Sequence, residues 1–251
     1  MTAPKTDLEQ TIKPEERLIV ALDVDSGAKA RTIVRELDGL VSTFKIGLQM
    51  FAAEGPRFVS ELVDEGKRIF LDLKFHDIPN TVAKAGIEAA RLGVWMFNIH
   101  AAGGSEMMRR TVAEVADFCD ASNRAKPFII GVTVLTSTGN SMMEELGIAS
   151  DVNGRVSRLA LLAETSGLDG VVASASEIEI IRSGVSTPGF LIVTPGIRPN
   201  NATNDDQKRV MAPGSAVSAG ADHIVVGRPV LEAADRRTAA ENILNEIRSA
   251  N

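Results

Sequence analysis

A chain of 251 residues, 44% hydrophobic and 24% charged, has the composition of a globular protein and is long enough for one well-buried core. Its formal net charge of -6 argues against a general nucleic-acid or anionic-membrane surface, so we expect neither as a partner. The single cysteine, Cys119, cannot form an internal disulfide, the N-terminus lacks the pattern of a leader, and no apolar run approaches the roughly 18 residues of a membrane helix. These features predict a cytoplasmic protein.

Short apolar segments alternate along the chain with stretches of helical periodicity, such as Val82–Leu92, Glu106–Phe118 and Asn153–Thr165. Near-continuous apolar strands are typical of a parallel sheet covered on both faces, and eight of them in this length predict a single-domain (β/α)8 TIM barrel over residues 17–251. The polar segment 1–16 is expected to be a loose arm or a cap on the barrel floor. The predicted strands are Leu18–Leu22, Thr43–Ile46, Ile69–Leu73, Met96–His100, Phe128–Thr133, Gly170–Ala173, Phe190–Val193 and His223–Val226.

An open doubly wound sheet is the main alternative fold. It is less favoured because Asp23–Gly27, after the first strand, lacks the three glycines of a dinucleotide-binding turn.

Ionisable residues lie at the ends of four consecutive predicted strands. Asp72 and Lys74 are two residues apart, so in a regular strand they share one face, and Asp77 follows closely. The two carboxylates should keep Lys74 protonated near neutral pH, which suits a general acid better than a Schiff-base amine. Asp23 and Lys45 extend this pattern to the first two strands, whereas a plain salt bridge at a strand end is the alternative interpretation.

His100, at the end of the fourth predicted strand, fits a buried core histidine as well as a functional one.

A second signal follows the seventh and eighth strands, where Thr194–Arg198 and Val226–Pro229 each combine glycine with arginine. Loops after these strands commonly bind phosphate in this architecture, so Arg198, Gly227 and Arg228 are candidate phosphate ligands. The polar loop 199–212 is long for its position and predicts either a mobile lid, with Gln207 folding over the phosphate, or an ordinary solvated loop.

The histidines show no paired metal-ligand spacing, and the carboxylates near Lys74 already have a cation, so we expect no metal.

These residues together resemble the bacterial orotidine 5'-phosphate decarboxylase family. The resemblance rests on the decapeptide Asp72–Thr81, with Ala21–Asp23 before it and the two glycine–arginine segments after it, in order along the chain. It implies a homodimeric barrel that converts orotidine 5'-phosphate to UMP and CO2 in pyrimidine synthesis, without metal or organic cofactor.

Site roles follow from the same resemblance, residue by residue. Lys74 matches the proton donor to C6, and Asp72 matches the carboxylate beside the departing carboxyl group. Asp77 and Thr81 match residues that reach into the neighbouring subunit's site, so that two chains share each active site. The remaining matches are Asp23 and Lys45 for ribose and network contacts, Thr136 for the pyrimidine, and Arg198, Gln207, Gly227 and Arg228 for the phosphate and the lid.

Two other functions remain open at this stage. A phosphosugar decarboxylase or aldolase shares the Asp-x-Lys-x-x-Asp pattern but uses magnesium, and the Ile78–Thr81 continuation and the long loop speak against it. A non-catalytic phosphate sensor would keep the arginines but has no reason to combine Asp72, Lys74 and Asp77.

Overall fold

The computed structural model describes residues 12–149, 151–199 and 211–250. Within them, eight parallel strands pair in chain order, and the first also pairs with the last, so the sheet closes into a barrel. The (β/α)8 TIM barrel expected from the sequence is therefore confirmed. The strands are β1 (Leu18–Ala21), β2 (Thr43–Gly47), β3 (Arg68–Phe75), β4 (Met96–His100), β5 (Phe128–Val132), β6 (Gly170–Val172), β7 (Leu191–Pro195) and β8 (His223–Val226).

Helices lie between successive strands and cover the outside of the barrel. None of those in the described residues is both long and apolar enough to cross a membrane. They are α1 (Pro14–Arg17), α2 (Gly27–Glu36), α3 (Leu48–Asp64), α4 (Pro79–Arg91), α5 (Gly104–Ala121), α6 (Asn140–Glu145), α7 (Val152–Thr165), α8 (Ile178–Gly184), α9 (Pro213–Ser218), α10 (Arg228–Leu231) and α11 (Arg236–Ser249).

All eight predicted strands are present, with ends displaced by at most two residues. The largest differences are at β3 and β7, which run two residues past their predicted ends into polar or proline-containing sequence. Helices α4 and α5 likewise begin before their apolar periodicity does, α4 with Pro79 in its first turn. Periodicity marks only the residues that face the core, so polar end turns escape it.

Two apolar clusters fill the molecule because alternate residues of each strand face opposite sides of the sheet. Leu18, Val20 and Leu22 of the first strand segment pack outward against the helices. The inward side chains form a separate cluster inside the barrel, made of Ile19, Ala21, Phe70, Met96, Ile130, Leu191, Val193 and Val225. The next inward positions on β2, β3 and β4 are polar, and they stand above this cluster at the carboxyl ends of the strands.

The described part of the N-terminal segment covers the opposite end, the barrel floor. Ile12 packs against the inner cluster, and α1 follows it. The Glu16 carbonyl oxygen lies 3.0 Å from Nδ1 of buried His223, and the Arg17 guanidinium donates to the Asp222 carbonyl at 3.2 Å. Residues 12–17 therefore act as a cap, while residues 1–11 lie outside the described part of the chain.

Helix α3 is bent near the mouth of the barrel. Gly55 has a φ of 73°, a left-handed conformation that glycine adopts without strain, and Pro56 restarts the helix. Just before the bend, the Glu54 carboxylate accepts a 2.7 Å hydrogen bond from the Gly27 N–H at the start of α2. This contact joins α2 to α3. Helix α2 follows β1 and Asp23, and α3 follows β2, which carries Lys45.

Candidate active site

A cavity of about 140 Å³ opens at the carboxyl ends of the strands. Its polar lining includes Lys45, Asp72, Lys74 and Thr136, and the rest is mostly apolar. A larger open groove of about 880 Å³ lies beside α9 and α11, but among the described residues no lysine, arginine or histidine lines it. Enclosed apolar walls with a few convergent charges are typical of a ligand site, so the smaller cavity is the candidate. Its other lining residues are Phe70, Val132, Val134, Leu135, Val172, Ala173, Pro195 and Val225.

Four side chains form a continuous row of ion pairs at this cavity, which we call the charge network: Asp23, Lys45, Asp72 and Lys74. Asp23 Oδ1 lies 2.9 Å from Lys45 Nζ, and Lys45 Nζ lies 3.3 Å from Asp72 Oδ2. The other Asp72 oxygen, Oδ1, lies 2.6 Å from Lys74 Nζ. Charges alternate along the row, so each buried ion has an opposite neighbour.

Burial and charge act against each other on the two inner members of the network. Burial alone would lower the pKa of the Lys45 ammonium, which is 8% exposed, but the charges of Asp72 and Asp23 outweigh it and raise that pKa. Burial alone would raise the pKa of Asp72, but the charges of Lys45 and Lys74 and hydrogen bonds from Lys74 and Asn98 lower it. Both groups are therefore charged at neutral pH.

Strand β3 is not regular where it carries these groups, which corrects the expectation of simple strand spacing. Leu71 pairs with Phe97 and Phe75 with Ile99, so three residues of β3 stand opposite the single Asn98 of β4. Within this bulge Lys74 has a φ of 52°, in the left-handed region. Asp72 and Lys74 still meet, and Leu73 packs on the outer core as expected.

Asn98 of β4 was not predicted from the sequence, yet it contacts both Asp72 and Lys74, which we call the β3 pair. Its side-chain N–H donates to Asp72 Oδ1 at 2.7 Å, and its side-chain oxygen accepts from the Lys74 backbone N–H at 2.8 Å. The available signal was a polar residue between Met96 and His100, on the inward face of a strand that is otherwise buried.

Gly47 is a second residue that the sequence analysis missed. A Cβ atom there would lie 3.0 Å from Lys45 Nζ and 3.3 Å from Asp23 Oδ1. Its φ of -96° suits any residue, so a side chain here would displace the Lys45–Asp23 ion pair by a few tenths of an ångström without straining the backbone.

Asp77 does not join the charge network of its own chain. It is exposed, and its Oδ1 accepts from the Ile78 N–H in the turn before α4. Within the described residues the only carboxylate within 4.0 Å of the Lys74 ammonium is that of Asp72. The expected ion pair between Lys74 and Asp72 is therefore confirmed. The expected contact between Lys74 and Asp77 is wrong within one chain, because the backbone turns away after β3.

Thr81 lies in the first turn of α4 and is exposed, on the same rim as Asp77. Between them, the Ile78 side chain is 67% exposed, and Leu48 at the start of α3 is 62% exposed. This rim of the mouth thus presents large apolar side chains next to polar ones.

His100 ends β4, and its ring contacts that of His76 at a tilt of 35°, with ring centroids 5.2 Å apart. Burial, the largest effect, lowers the pKa of His100, and the neighbouring His76 and Lys74 lower it further against the opposing charge of Asp72. His100 is half-buried beside the charge network, a position that fits both interpretations left open by the sequence.

The candidate phosphate residues lie on the β7–β8 side of the mouth and do not line the 140 Å³ cavity itself. Arg228 begins α10 directly after Gly227, and Arg198 follows β7, both half-buried. Ile197 pairs with Met211 in an isolated bridge, so the loop 199–212 leaves and returns at one point. Gln207 and most of that loop fall outside the described residues.

No group of three His, Cys, Asp or Glu side chains that could hold a metal ion occurs in the described ranges. A closed parallel barrel with alternating charges in a cavity at its strand ends is the arrangement of a TIM-barrel enzyme.

Comparison with known proteins identifies the family. Residues 16–243 match the model of the orotidine 5'-phosphate decarboxylase / HUMPS family. An orotidine 5'-phosphate decarboxylase of Syntrophotalea carbinolica is 48% identical over 239 residues, covering 95% of this chain and 98% of the relative. That of Geobacter sulfurreducens is 50% identical over 232 residues, covering 92% and 96%.

A crystal structure of orotidine 5'-phosphate decarboxylase from Lactobacillus acidophilus superposes with a TM-score of 0.81 at 34% identity, covering 91% of this chain and 97% of that one. The chain belongs to the orotidine 5'-phosphate decarboxylase / HUMPS family. The family resemblance seen in its motifs is confirmed.

Proposed function

We propose that this chain converts orotidine 5'-phosphate to UMP and CO2, the decarboxylation that completes UMP biosynthesis. The observation that carries the proposal is the Lys74 ammonium, held 2.6 Å from Asp72 inside a mostly apolar cavity. The relatives named orotidine 5'-phosphate decarboxylase support it, since they are about half identical over nearly the whole chain.

The chemistry explains why a fixed ammonium is needed. When the bond between C6 and the carboxyl carbon breaks, its electron pair stays on C6 and CO2 leaves. The pyrimidine has no electron sink adjacent to that carbon, so the barrier must fall through charge already in place. Lys74 supplies that charge and then transfers an Nζ proton to C6, giving UMP and a neutral amine that solvent reprotonates.

The rest of the charge network prepares Lys74 for this step. Asp72 stands beside the departing carboxylate, and Lys45 keeps Asp72 ionised from its other oxygen. Asp23 continues the row to the exposed rim, where its free surface suits a ribose hydroxyl. Thr136, which also lines the cavity, is proposed to contact the pyrimidine. Because the ion pairs of the network hold these charges in fixed positions, little reorganisation is needed during the proposed reaction.

The phosphate of the substrate is proposed to bind at Arg198, Gly227 and Arg228, with Gln207 closing over it from the 199–212 loop. Arg198, Gly227 and Arg228 do not line the small cavity, so phosphate binding and proton transfer would occupy separate parts of the mouth. Phosphate contacts far from C6 can contribute binding energy to orientation and closure.

A homodimer with shared sites is part of the same proposal. Asp77 and Thr81 are exposed on the mouth rim beside Ile78, and Asp77 does not reach Lys74 of its own chain. In a twofold dimer the same rim of the other chain would place its Asp77 and Thr81 over this cavity. No metal or organic cofactor is proposed to take part.

The test is to mix purified protein with orotidine 5'-phosphate and follow the ultraviolet change from orotate to uracil, with and without excess chelator. We expect complete conversion at the same rate in both samples. Loss of activity on chelation would instead favour the magnesium-dependent phosphosugar chemistry of the wider family. Binding of the nucleotide by folded protein without conversion would favour a phosphate sensor.

A further inference from the structure

We infer that Asn98 is a positioning residue that holds both Asp72 and Lys74 in their reactive arrangement. The inference rests on the proposed function, because the step it supports is proton transfer from Lys74. Asn98 does not line the cavity, so it acts through these two residues rather than on the substrate.

The Asn98 side-chain amide forms one hydrogen bond through its N–H group and one through its oxygen. An ionised Asp72 oxygen can only accept, so the atom 2.7 Å from it must be the amide N–H. A backbone N–H can only donate, so the atom 2.8 Å from Lys74 N must be the amide oxygen. Chemistry alone thus determines the orientation of the amide. An aspartate would lack the donor, and a leucine would lack both groups.

The contact to the Lys74 backbone matters because of the bulge in β3. In a regular parallel pair that N–H would bond to a strand carbonyl, but here the register skips from Leu71 to Phe75. Asn98 is fully buried, so its side chain replaces the missing ladder bond where water cannot. It thereby supports Lys74 in a left-handed conformation that residues with a Cβ rarely adopt.

The contact to Asp72 determines where the Lys74 ammonium stands. Asp72 Oδ1 accepts from both Asn98 Nδ2 and Lys74 Nζ, while Oδ2 faces Lys45. Without the amide, the carboxylate is free to rotate towards Lys45, and the ammonium loses its fixed partner. Side-chain orientation and backbone conformation of the β3 pair therefore depend on one residue of β4.

Substitution of Asn98 separates positioning from simple structural support. Asn98→Ala should lower kcat about 100-fold while changing KM and the affinity for UMP by no more than about threefold. Thr111→Ala is the matched control, because Thr111 is also a fully buried polar residue, but it bonds only the Met107 carbonyl in α5. The control should lose thermal stability and keep its kcat.

Asn98→Asp is a second test, since it changes neither the size nor the shape of the side chain. The introduced carboxyl would face two ionisable residues of β3, Asp72 and Lys74. Lys45 of β2 is linked to it indirectly, because Lys45 pairs with Asp72. When ionised it repels Asp72; when protonated it restores the lost donor. The kcat of this variant, relative to wild type, should therefore rise at least tenfold as the pH falls from 8 to 5, a readout that a structural role would not move.

The outcomes separate the two proposals. Absence of decarboxylation by the wild-type protein overturns the proposed function, and this inference with it. With active wild type, the inference alone is overturned if Asn98→Ala keeps its kcat, if the Asn98→Asp ratio is independent of pH, or if neither variant folds, which would assign Asn98 to the core.

Discussion

Replacing His223 with asparagine should remove a specific part of the pH dependence of folding. His223 is buried at the barrel floor, and burial, the largest effect, lowers its pKa from 6.5 to about 4. Its Nδ1–H donates to the Glu16 carbonyl at 3.0 Å, which the amide of asparagine can reproduce. The groups that face it are Asp222, Arg17 and Arg68, and the charges of the two arginines also disfavour a protonated ring.

The sign and size follow from proton linkage. Between pH 6.5 and about 4 the unfolded chain binds a proton that the folded His223 does not, so the stability of the folded state falls as the pH falls through this window. At about 1.4 kcal/mol for each pH unit, the complete loss is about 3.4 kcal/mol. Between pH 7 and pH 5 the expected loss is about 2 kcal/mol.

Urea denaturation at a fixed protein concentration measures this loss. Trp95 is the single tryptophan of the chain, and its ring lies edge-on to His223 at 5.1 Å, so its fluorescence reports unfolding of the floor. The free energy of unfolding of wild type minus that of His223→Asn should decrease by about 2 kcal/mol from pH 7 to pH 5. All other titrating groups, and the constant cost of the substitution, cancel in this difference. Parallel curves for the two proteins would refute the reasoning.

Four further predictions concern the mouth of the barrel. Lys74→Ala should fold normally and bind UMP but lose at least about 1,000-fold in kcat; near-normal turnover would remove Lys74 as the proton donor. Gly47→Ala should lower kcat/KM about tenfold, because its Cβ would stand 3.0 Å from Lys45 Nζ, and an unchanged value would show that the pair moves freely. Arg228→Ala should raise KM for orotidine 5'-phosphate more than it lowers kcat, in steady-state assays compared with a variant of the exposed Arg57, which should match wild type. Reassorted mixtures of inactive Lys74→Ala and Asp77→Ala chains should regain about a quarter of wild-type activity, because half the dimers carry one intact site; no recovery would exclude shared sites.

The fold could be predicted because parallel strands buried on both faces read as short apolar runs, which Ile19 and Val20 or Ile129 and Ile130 illustrate. The end of β3 could not, since the strand continues through the polar Lys74 to Phe75 and reaches its last pairing with β4 only across a bulge. Local sequence does not specify a bulge that depends on the side chain of a neighbouring strand.

In the candidate site, too, some residues could be predicted from the sequence and others could not. Asp72 and Lys74 stood out because charges at the end of an apolar strand are costly and therefore rare. Asn98 and Gly47 did not, because a neutral amide or a glycine in a strand is ordinary until its three-dimensional neighbours are known. Asp77 was placed beside Lys74 by its spacing along the chain, but the turn at Asp77–Ile78 directs it to the rim.

Buried ionisable groups are neutral at the floor of the barrel and charged at its mouth. At the floor, His223 is kept neutral by burial, so protonation there changes stability. At the mouth, Lys45 and Asp72 are kept charged by each other, so substitution there changes the electrostatics of the cavity. The inner apolar cluster, with Phe70 and Met96, separates the two groups. His223→Asn should therefore leave kcat unchanged at pH 7, whereas Asn98→Ala should change it at every pH.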